Sequence, residues 1–502
     1  MHYVSLIVEF LRGRPAAVFW IAALSQAALW VVVPSLFYSA PPGDVPMMLA
    51  IGHEFRLGSY LGPPLAFWLG EMAFRLAGVY GVYVLAQICI VIAFWAVFSL
   101  GRIIAGTRHA VLAVLLMVGV AAYNVPSPDF GPAILATALW ALALLHYWRA
   151  LGEDRRGYWF ILGFDLGLLL LTSYVGIILV VLLALFTVAV RRGREMLLHI
   201  EPWLALILTA IIVFPHAVWL RDSFSLVSAT ITAEAPKSAL LPPAGWLAVV
   251  IVLSHVGVAL LVLLASGWRL RKNERAPEID RSPASRSARL FVYVFAIVPA
   301  IIAIAIAAIL RHLGPLTQVA PLIVLTGLAI VAAAGDRIYL YRERAVSFVW
   351  LGLLVVPPIL VALAVLFLPW TLATELKTGQ PANAMGVFFA DNFLRRVGSP
   401  LPYVAGDPQL AALVAVAAPS RPRLYLDAAP ERSPWANAND LRASGAILVW
   451  PASDTAGTPP ADLKAAFPEL VPELPRAFAR PVQGLLPLMR VGWAVLRPVA
   501  PR

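Results

Sequence analysis

The sequence predicts an all-α, multi-pass membrane protein that ends in a small α/β domain. Three observations lead there. The 502 residues are 61% hydrophobic and only 13% charged, against about 45–50% apolar and about 25% charged in ordinary soluble chains. The apolar residues gather in runs long enough to cross a bilayer. From about residue 371 onward no such run occurs, and short strand-like stretches alternate with helix-like ones. This balance excludes an ordinary soluble enzyme, a disordered chain and a collagen-like repeat. The single cysteine, Cys89, lies inside an apolar run, so the sequence offers no disulfide framework, zinc-thiolate spacing or thiol chemistry.

A helix needs about 20 apolar residues to cross about 30 Å of hydrocarbon. Eleven runs qualify: 16–38, 79–105, 108–123, 130–149, 157–172, 174–190, 202–220, 244–267, 290–310, 315–334 and 346–369. The short runs around 108–123 and 157–190 leave room for a count of up to 13. The first run is too long for a cleaved leader, and no small-residue cleavage site follows it.

Lys and Arg in short loops set the orientation. With the N-terminus in the cytoplasm, twenty basic residues between Arg12 and Arg344 fall in cytoplasmic loops, against five opposite: Arg56, Arg75, Arg221, Lys237 and Arg311. The net charge of +11 therefore reads as topology. Nucleic-acid binding would need a basic face with interleaved aromatics on a soluble element, and none is present. The cytoplasmic loop 271–289 reads as polar, charged and mobile.

The expected division is a membrane domain over 1–370 and a periplasmic α/β domain over 371–502. In the latter, strands are expected at Tyr403–Ala405, Leu424–Leu426 and Ile447–Trp450, with helices over 408–418 and 437–443.

Ionisable residues at the membrane edge are where function is sought. The long external loop 39–78 opens with Pro41, Pro42, Gly43 and Asp44, which is also good turn chemistry. It continues through His53, Glu54 and Arg56 to Tyr60, Pro63, Pro64 and Leu65. Between them Met47–Phe55 reads as an amphipathic helix lying along the interface. The next external loop ends in Pro128 and Asp129, and Asp129 is placed as the N-cap of the following span. Ser173 and Tyr174 mark a tight turn. His216, Trp219 and Arg221 end a later span, and Arg311 and His312 connect two more. No histidine pair has zinc-ligand spacing.

This pattern resembles the family 39 glycosyltransferases, the group of protein O-mannosyltransferases and the lipid A aminoarabinose transferase. The resemblance rests on Asp44 followed by Tyr60, Pro63, Pro64, Leu65, Trp68 and Leu69. It also rests on Pro128 and Asp129, on the run Leu168–Leu171 with Thr172, Ser173 and Tyr174, on Phe214, Pro215 and Trp219, and on the tail around Tyr403–Asp407 and Arg421–Tyr425. The chain departs from the family at Val45, where a second carboxylate is usual, at Gly62, where His or Lys is usual, and at Ser173, where Lys is usual. The residues that carry over are Asp44, Asp129, Pro63, Pro64 and Tyr174.

The resemblance implies a GT-C-like fold and inverting transfer of a sugar from a polyprenyl-phosphate carrier on the periplasmic side of a bacterial inner membrane. The acceptor would be a cell-envelope glycolipid such as lipid A or lipopolysaccharide. Asp44, in a partly dry pocket, would be the base that takes the acceptor proton, help worth about 10²–10⁴-fold. Asp129 would orient the acceptor, or hold a divalent cation with Asp44. The leaving phosphate wants a cation, from Arg56 and Arg311 first, then Arg221 and Lys237; Arg suits bidentate phosphate contact better than Lys. His53, Glu54, Tyr60, Tyr174 and His312 complete the expected substrate surface. The two acids would converge on one hollow. The alternatives are a lipid-linked glycan flippase, which would carry repeats and broken helices, and a non-catalytic membrane scaffold.

Overall fold

A computed structural model describes residues 6–125, 129–231, 241–267, 277–281, 283–426, 430–452, 454 and 456–498. The chain forms two compact units. The first comprises Met1–Val31, Leu61–Ala66 and Tyr83–Pro358; the second comprises Val32–Tyr60, Phe67–Val82 and Ile359–Arg502.

The protein is a multi-pass, mostly helical membrane protein. All eleven apolar runs are helical over most of their length, but they are not equal. Among the described residues six helices are long and apolar enough to cross a membrane: Pro15–Phe37, Leu65–Ala105, Pro132–Leu151, Glu201–Asp222, Arg286–Leu310 and Glu343–Thr371. A seventh span is made if Pro243–Ser254 and Val256–Ala265, bent by 40°, count as one. Thr107–Val118, Tyr158–Leu170 and Gly176–Ala189 hold 12, 13 and 14 residues. At 1.5 Å per residue they reach only about 18–21 Å. The run 315–334 breaks into Val319–Leu322 and Thr326–Ala333. Hydropathy alone does not register these interruptions; by length and composition, six or seven of the eleven runs form a full span among the described residues.

Leu65–Ala105 is two helices across a break at Ala77 and Gly78. Gly78 has φ +60, a conformation that glycine adopts without steric cost. The second part begins where a span was predicted, at residue 79.

In the first unit, Tyr158–Leu170 packs closely against Glu201–Asp222. A Cβ on Gly163 would lie 2.5 Å from the Ala205 carbonyl oxygen, and one on Gly167 would press into Ile212. Thr209 Oγ1 donates to the Gly163 carbonyl across this seam at 2.9 Å. Small residues and interhelical hydrogen bonds drive association where lipid removes the hydrophobic contrast. Trp203, Leu206, Ile211, Phe214 and Val218 of the same helix are exposed, as lipid-facing residues are. Tyr147, Trp148, Phe186, Phe291 and Phe295 form an aromatic core. Two of the buried polar side chains in this unit bond across helices: Trp30 Nε1 donates to Asn124 Oδ1 at 2.6 Å, and Gln26 Nε2 to the Tyr123 carbonyl at 2.9 Å.

Part of the polar loop 271–289 is ordered. Strand β1 (Glu278–Asp280) pairs antiparallel with β2 (Arg337–Tyr339), and Ser285 caps the helix Arg286–Leu310 by accepting from Ala288 N. The expectation of a mobile loop fails there because backbone pairing and a helix cap hold it. Residues 268–276 and 282 lie outside the described residues.

In the second unit a five-stranded sheet has the order β4-β3-β5-β7-β6, with β3 (Tyr403–Gly406), β4 (Arg423–Leu424), β5 (Ala446–Pro451), β6 (Arg476–Phe478) and β7 (Met489–Leu496). β3 runs parallel to β4 and β5; β7 runs antiparallel to β5 and β6. Asp407 caps Pro408–Ala417 by accepting from Gln409 N and Leu410 N. Asn437 and Asp440 form a capping box on Ala438–Ser444. The sheet returns to the end of the last long helix: Leu485 N donates to the Pro369 carbonyl at 2.9 Å, and a Cβ on Gly484 would lie 2.4 Å from that oxygen.

The segment predicted as an interfacial amphipathic helix is Val45–Gly52, and it is buried on nearly every side. It packs on Pro408–Ala417, so a protein partner takes the place assigned to lipid. Its residues are almost all apolar, and only Met47 is partly exposed.

Candidate functional site

In the second unit, Asp44 stands at the N-cap of Val45–Gly52 with no side-chain cap hydrogen bond. It is exposed, which corrects the expected partly dry pocket: Pro41, Pro42, Val45 and Pro46 around it are buried, and the turn lifts the carboxylate outward. Tyr60 is buried with the Arg432 guanidinium 5.1 Å above its ring. Burial pushes its hydroxyl above the usual range; Arg432 opposes this, and the Asp44 charge adds to the upward push. Asp44 and the Tyr60 phenol thus feel one another.

His53 and Glu54 leave the end of the Val45–Gly52 helix. The Glu54 side chain is 3% exposed, with Arg423 Nε 3.4 Å from its Oε1. That oxygen has no hydrogen-bond partner among the described residues, so the contact is charge attraction only. Burial raises the Glu54 carboxyl above its ordinary range, against the pull of Arg423, His53 and Arg56.

The strongest polar assembly here was not predicted. Glu71, 1% exposed, places Oε1 2.9 Å from Arg75 Nε and 3.1 Å from His53 Nδ1, and Oε2 2.5 Å from Arg421 Nη2. Arg421 also lies 4.3 Å over the Phe74 ring, and Arg75 4.9 Å over Phe55. Arg421 has φ +49, a left-handed backbone unusual for a non-glycine residue. The signal was legible: Glu71 and Arg75 are an i, i+4 pair interrupting an apolar stretch. Loop-by-loop charge counting passes over it. Arg56 is exposed, and its carbonyl accepts from Trp68 Nε1 at 2.9 Å.

In the first unit, two motifs of the resemblance meet. Leu65 N, directly after Pro63 and Pro64, donates to the Leu171 carbonyl at 2.9 Å, at the start of the turn carrying Ser173 and Tyr174. Ser173 Oγ donates to Gln318 Oε1 at 2.6 Å. Tyr174 OH lies 3.3 Å from His216 Nε2, and His216 stacks in turn on Trp219. Asp129 is half-buried but is not the helix cap. The helix begins at Pro132 with Gly131 as N-cap, because Pro132 suits the first helical turn, where its missing N–H is not needed. Pro126, Ser127 and Pro128 lie outside the described residues, as does Lys237.

Arg221 is exposed at the end of Glu201–Asp222. Arg311 is exposed in a left-handed conformation closing Arg286–Leu310. His312 beside it is half-buried, and its Nδ1 has no hydrogen-bond partner among the described residues. Asp44, His53, Glu54, Arg56 and Tyr60 belong to the second unit, and Asp129, Tyr174, Arg221, Arg311 and His312 to the first. Among the described residues no group of three or more His, Cys, Asp or Glu side chains is arranged to hold a metal ion.

Residues 62–219 match the sequence profile of the dolichyl-phosphate-mannose-protein mannosyltransferase family. No protein of curated function matches the sequence significantly. Among solved structures, ArnT from Cupriavidus metallidurans in the apo state aligns over 98% of this chain and 100% of its own, with 14% identity and a TM-score of 0.54. The same protein bound to undecaprenyl phosphate aligns over 97% and 98%, with 14% identity and a TM-score of 0.47. The apo oligosaccharyltransferase of Archaeoglobus fulgidus aligns over 80% of this chain and 64% of its own, with 17% identity and a TM-score of 0.38. The chain has an ArnT-like, GT-C fold, and over 62–219 it resembles the mannosyltransferase family.

Proposed function

We propose that this protein is a membrane glycosyltransferase that moves a sugar from a polyprenyl-phosphate carrier to a cell-envelope glycolipid, with inversion. One observation carries the reading furthest. The Leu65–Leu171 hydrogen bond joins the Pro-Pro-Leu motif to the Ser173–Tyr174 turn, and both lie within the stretch resembling the mannosyltransferases. The ArnT-like fold supports the same reading.

The proposed step is a single displacement. The acceptor hydroxyl oxygen attacks the anomeric carbon, the bond from that carbon to the phosphate oxygen breaks, and the acceptor proton passes to the Asp44 carboxylate. Polyprenyl phosphate leaves with the negative charge. One carboxylate suffices, because no covalent sugar intermediate forms. An exposed Asp44 suits this role if the acceptor itself excludes water when bound. Arg56 and Arg311, with Arg221 and Lys237 in support, would face the leaving phosphate. His53, Glu54, Tyr60, Tyr174 and His312 would shape the substrate surface. Asp129 would orient the acceptor or share a divalent cation with Asp44. The N-terminus is assigned to the cytoplasm of a bacterial inner membrane and residues 371–502 to the periplasm.

The deciding assay supplies purified protein with a labelled polyprenyl-phosphate sugar and lipid A. Label should move to the acceptor, and Asp44→Asn should stop it. Unchanged transfer by the variant removes Asp44 from the mechanism. A flippase is the second reading, favoured by the bend between Pro243–Ser254 and Val256–Ala265 with His255 at the break. Proteoliposomes that move lipid-linked sugar across the bilayer with no acceptor present would select it.

A further inference from the structure

The basic loops predicted to share one side of the membrane meet around a cleft of about 670 Å³, wholly within the first unit. Pro15, Arg102, Gly106, Thr107, Arg108, His109, Gly152, Glu153, Asp280, Arg281, Pro283, Ala284 and Ser285 line it. Its chemistry is unlike that of the lipid-facing grooves nearby, whose linings are almost entirely apolar.

Three features make it an anion site. First, two helices of 12 and 25 residues, Thr107–Val118 and Arg286–Leu310, start at its wall. Helix starts direct N–H groups and a positive dipole end toward an anion; Gly106 before the first of them offers no side-chain cap, while Ser285 already caps the second through Ala288 N. Second, Arg102, Arg108 and Arg281 surround the space. Arg108 is bonded to Asp280 at 3.2 Å and Arg281 Nε to Asp336 at 3.0 Å, while Glu153 adds one more acid to the wall. Third, polar atoms are left unmatched. His109 lines the cleft with a fully buried side chain, and neither ring nitrogen has a hydrogen-bond partner among the described residues. The Arg281 side chain is 3% exposed, and its Nη1 is likewise unpartnered. Buried polar groups are normally paired, and each exception calls for an explanation.

We propose that this cleft binds a phosphate group, with Arg281 and His109 at its floor and Arg102 and Arg108 at its mouth. The Arg102 and Arg108 guanidinium groups are exposed and match phosphate geometry, while the orphan Arg281 Nη1 and His109 nitrogens lie closed to solvent behind them and would turn toward the phosphate once it is bound. The group belongs either to an anionic lipid headgroup or to a soluble phosphate, and the two sources are separable. The inference does not depend on the transferase reading.

The experiment uses the full chain in a neutral detergent with two probes, dioleoylphosphatidylglycerol and inorganic phosphate. Native mass spectrometry counts retained lipid, and calorimetric titration follows phosphate. Saturable binding of either probe is expected, weakened at least about tenfold by Arg281→Gln and by Arg102→Gln. Arg102 is exposed, so its variant folds even where Arg281→Gln does not. Lipid binding alone assigns the site to a headgroup, and phosphate binding alone assigns it to a soluble ligand. Binding of neither probe, or binding that both variants leave unchanged, overturns the proposal.

Discussion

Arg421 and Glu71, 350 positions apart in sequence, join through a 2.5 Å contact between Nη2 and Oε2. One residue opens the loop before β4; the other sits on the helical stretch that precedes the break at Ala77 and Gly78. With Arg75 and His53 on the other oxygen, one buried carboxylate gathers three partners from distant parts of the second unit.

Removing that carboxylate should be costly. Glu71→Gln leaves Arg421, largely buried, without its counter-charge, and breaking a buried pair from one side typically costs about 3–5 kcal/mol. Chemical denaturation of the detergent-solubilised protein measures it. A cycle with Arg421→Gln should give a coupling energy of about 1–3 kcal/mol. Additive single effects would mean that the two do not act together.

The exposed Asp44 predicts a different signature. Asp44→Asn should lower transfer by about 10²–10⁴-fold while the unfolding free energy stays within about 0.5 kcal/mol. A variant that loses activity only because it unfolds would argue that Asp44 is structural.

Glu54 sets a pH dependence. Its folded carboxyl titrates above its ordinary value of 4.5 because it is buried. A group shifted upward favours the fold fully below its unfolded pKa, and that contribution fades as pH rises through the folded value. Melting curves from pH 4 to pH 7 for wild type and Glu54→Gln should therefore show the wild type losing ground to the variant as pH rises. The opposite trend would mean that attraction from Arg423 outweighs burial.

The seam between Tyr158–Leu170 and Glu201–Asp222 should reject bulk. Gly163→Leu places carbon where the Ala205 backbone sits, and overpacking of this kind costs about 1–3 kcal/mol. Thr209→Val, which deletes the hydroxyl bonded to the Gly163 carbonyl, should cost about 1 kcal/mol. Thermal unfolding orders the two.

Much of this architecture is written in local pattern. Every apolar run became helix, and the strand-like stretches Tyr403–Ala405 and Ile447–Trp450 are strands, because period and turn chemistry are local properties. β7 was missed because Gly492 interrupts its run; the glycine is there because a Cβ would strike the Trp450 indole at 2.2 Å, a constraint from a strand forty residues earlier in the chain. Asp44, His53, Glu54 and Tyr60 could be picked out by type and place, and Glu71 by its i, i+4 pairing with Arg75, but the partners Arg421, Arg423 and Arg432 could not, since each contact joins segments whose closeness only the tertiary fold creates. The helix Val45–Gly52 was misassigned to lipid for the same reason: an apolar surface does not announce whether protein or bilayer will cover it.

The contact of Gly484 and Leu485 with Pro369 gives the closing strands a second mooring. Val471 and Leu474, just before β6, are 75% and 85% exposed, an easy target for a protease. A cut there would sever the backbone without freeing the smaller fragment, because β7 stays zipped to β5 and Leu485 stays bonded to the helix end. The nicked protein should travel through gel filtration as one particle and come apart only in denaturant.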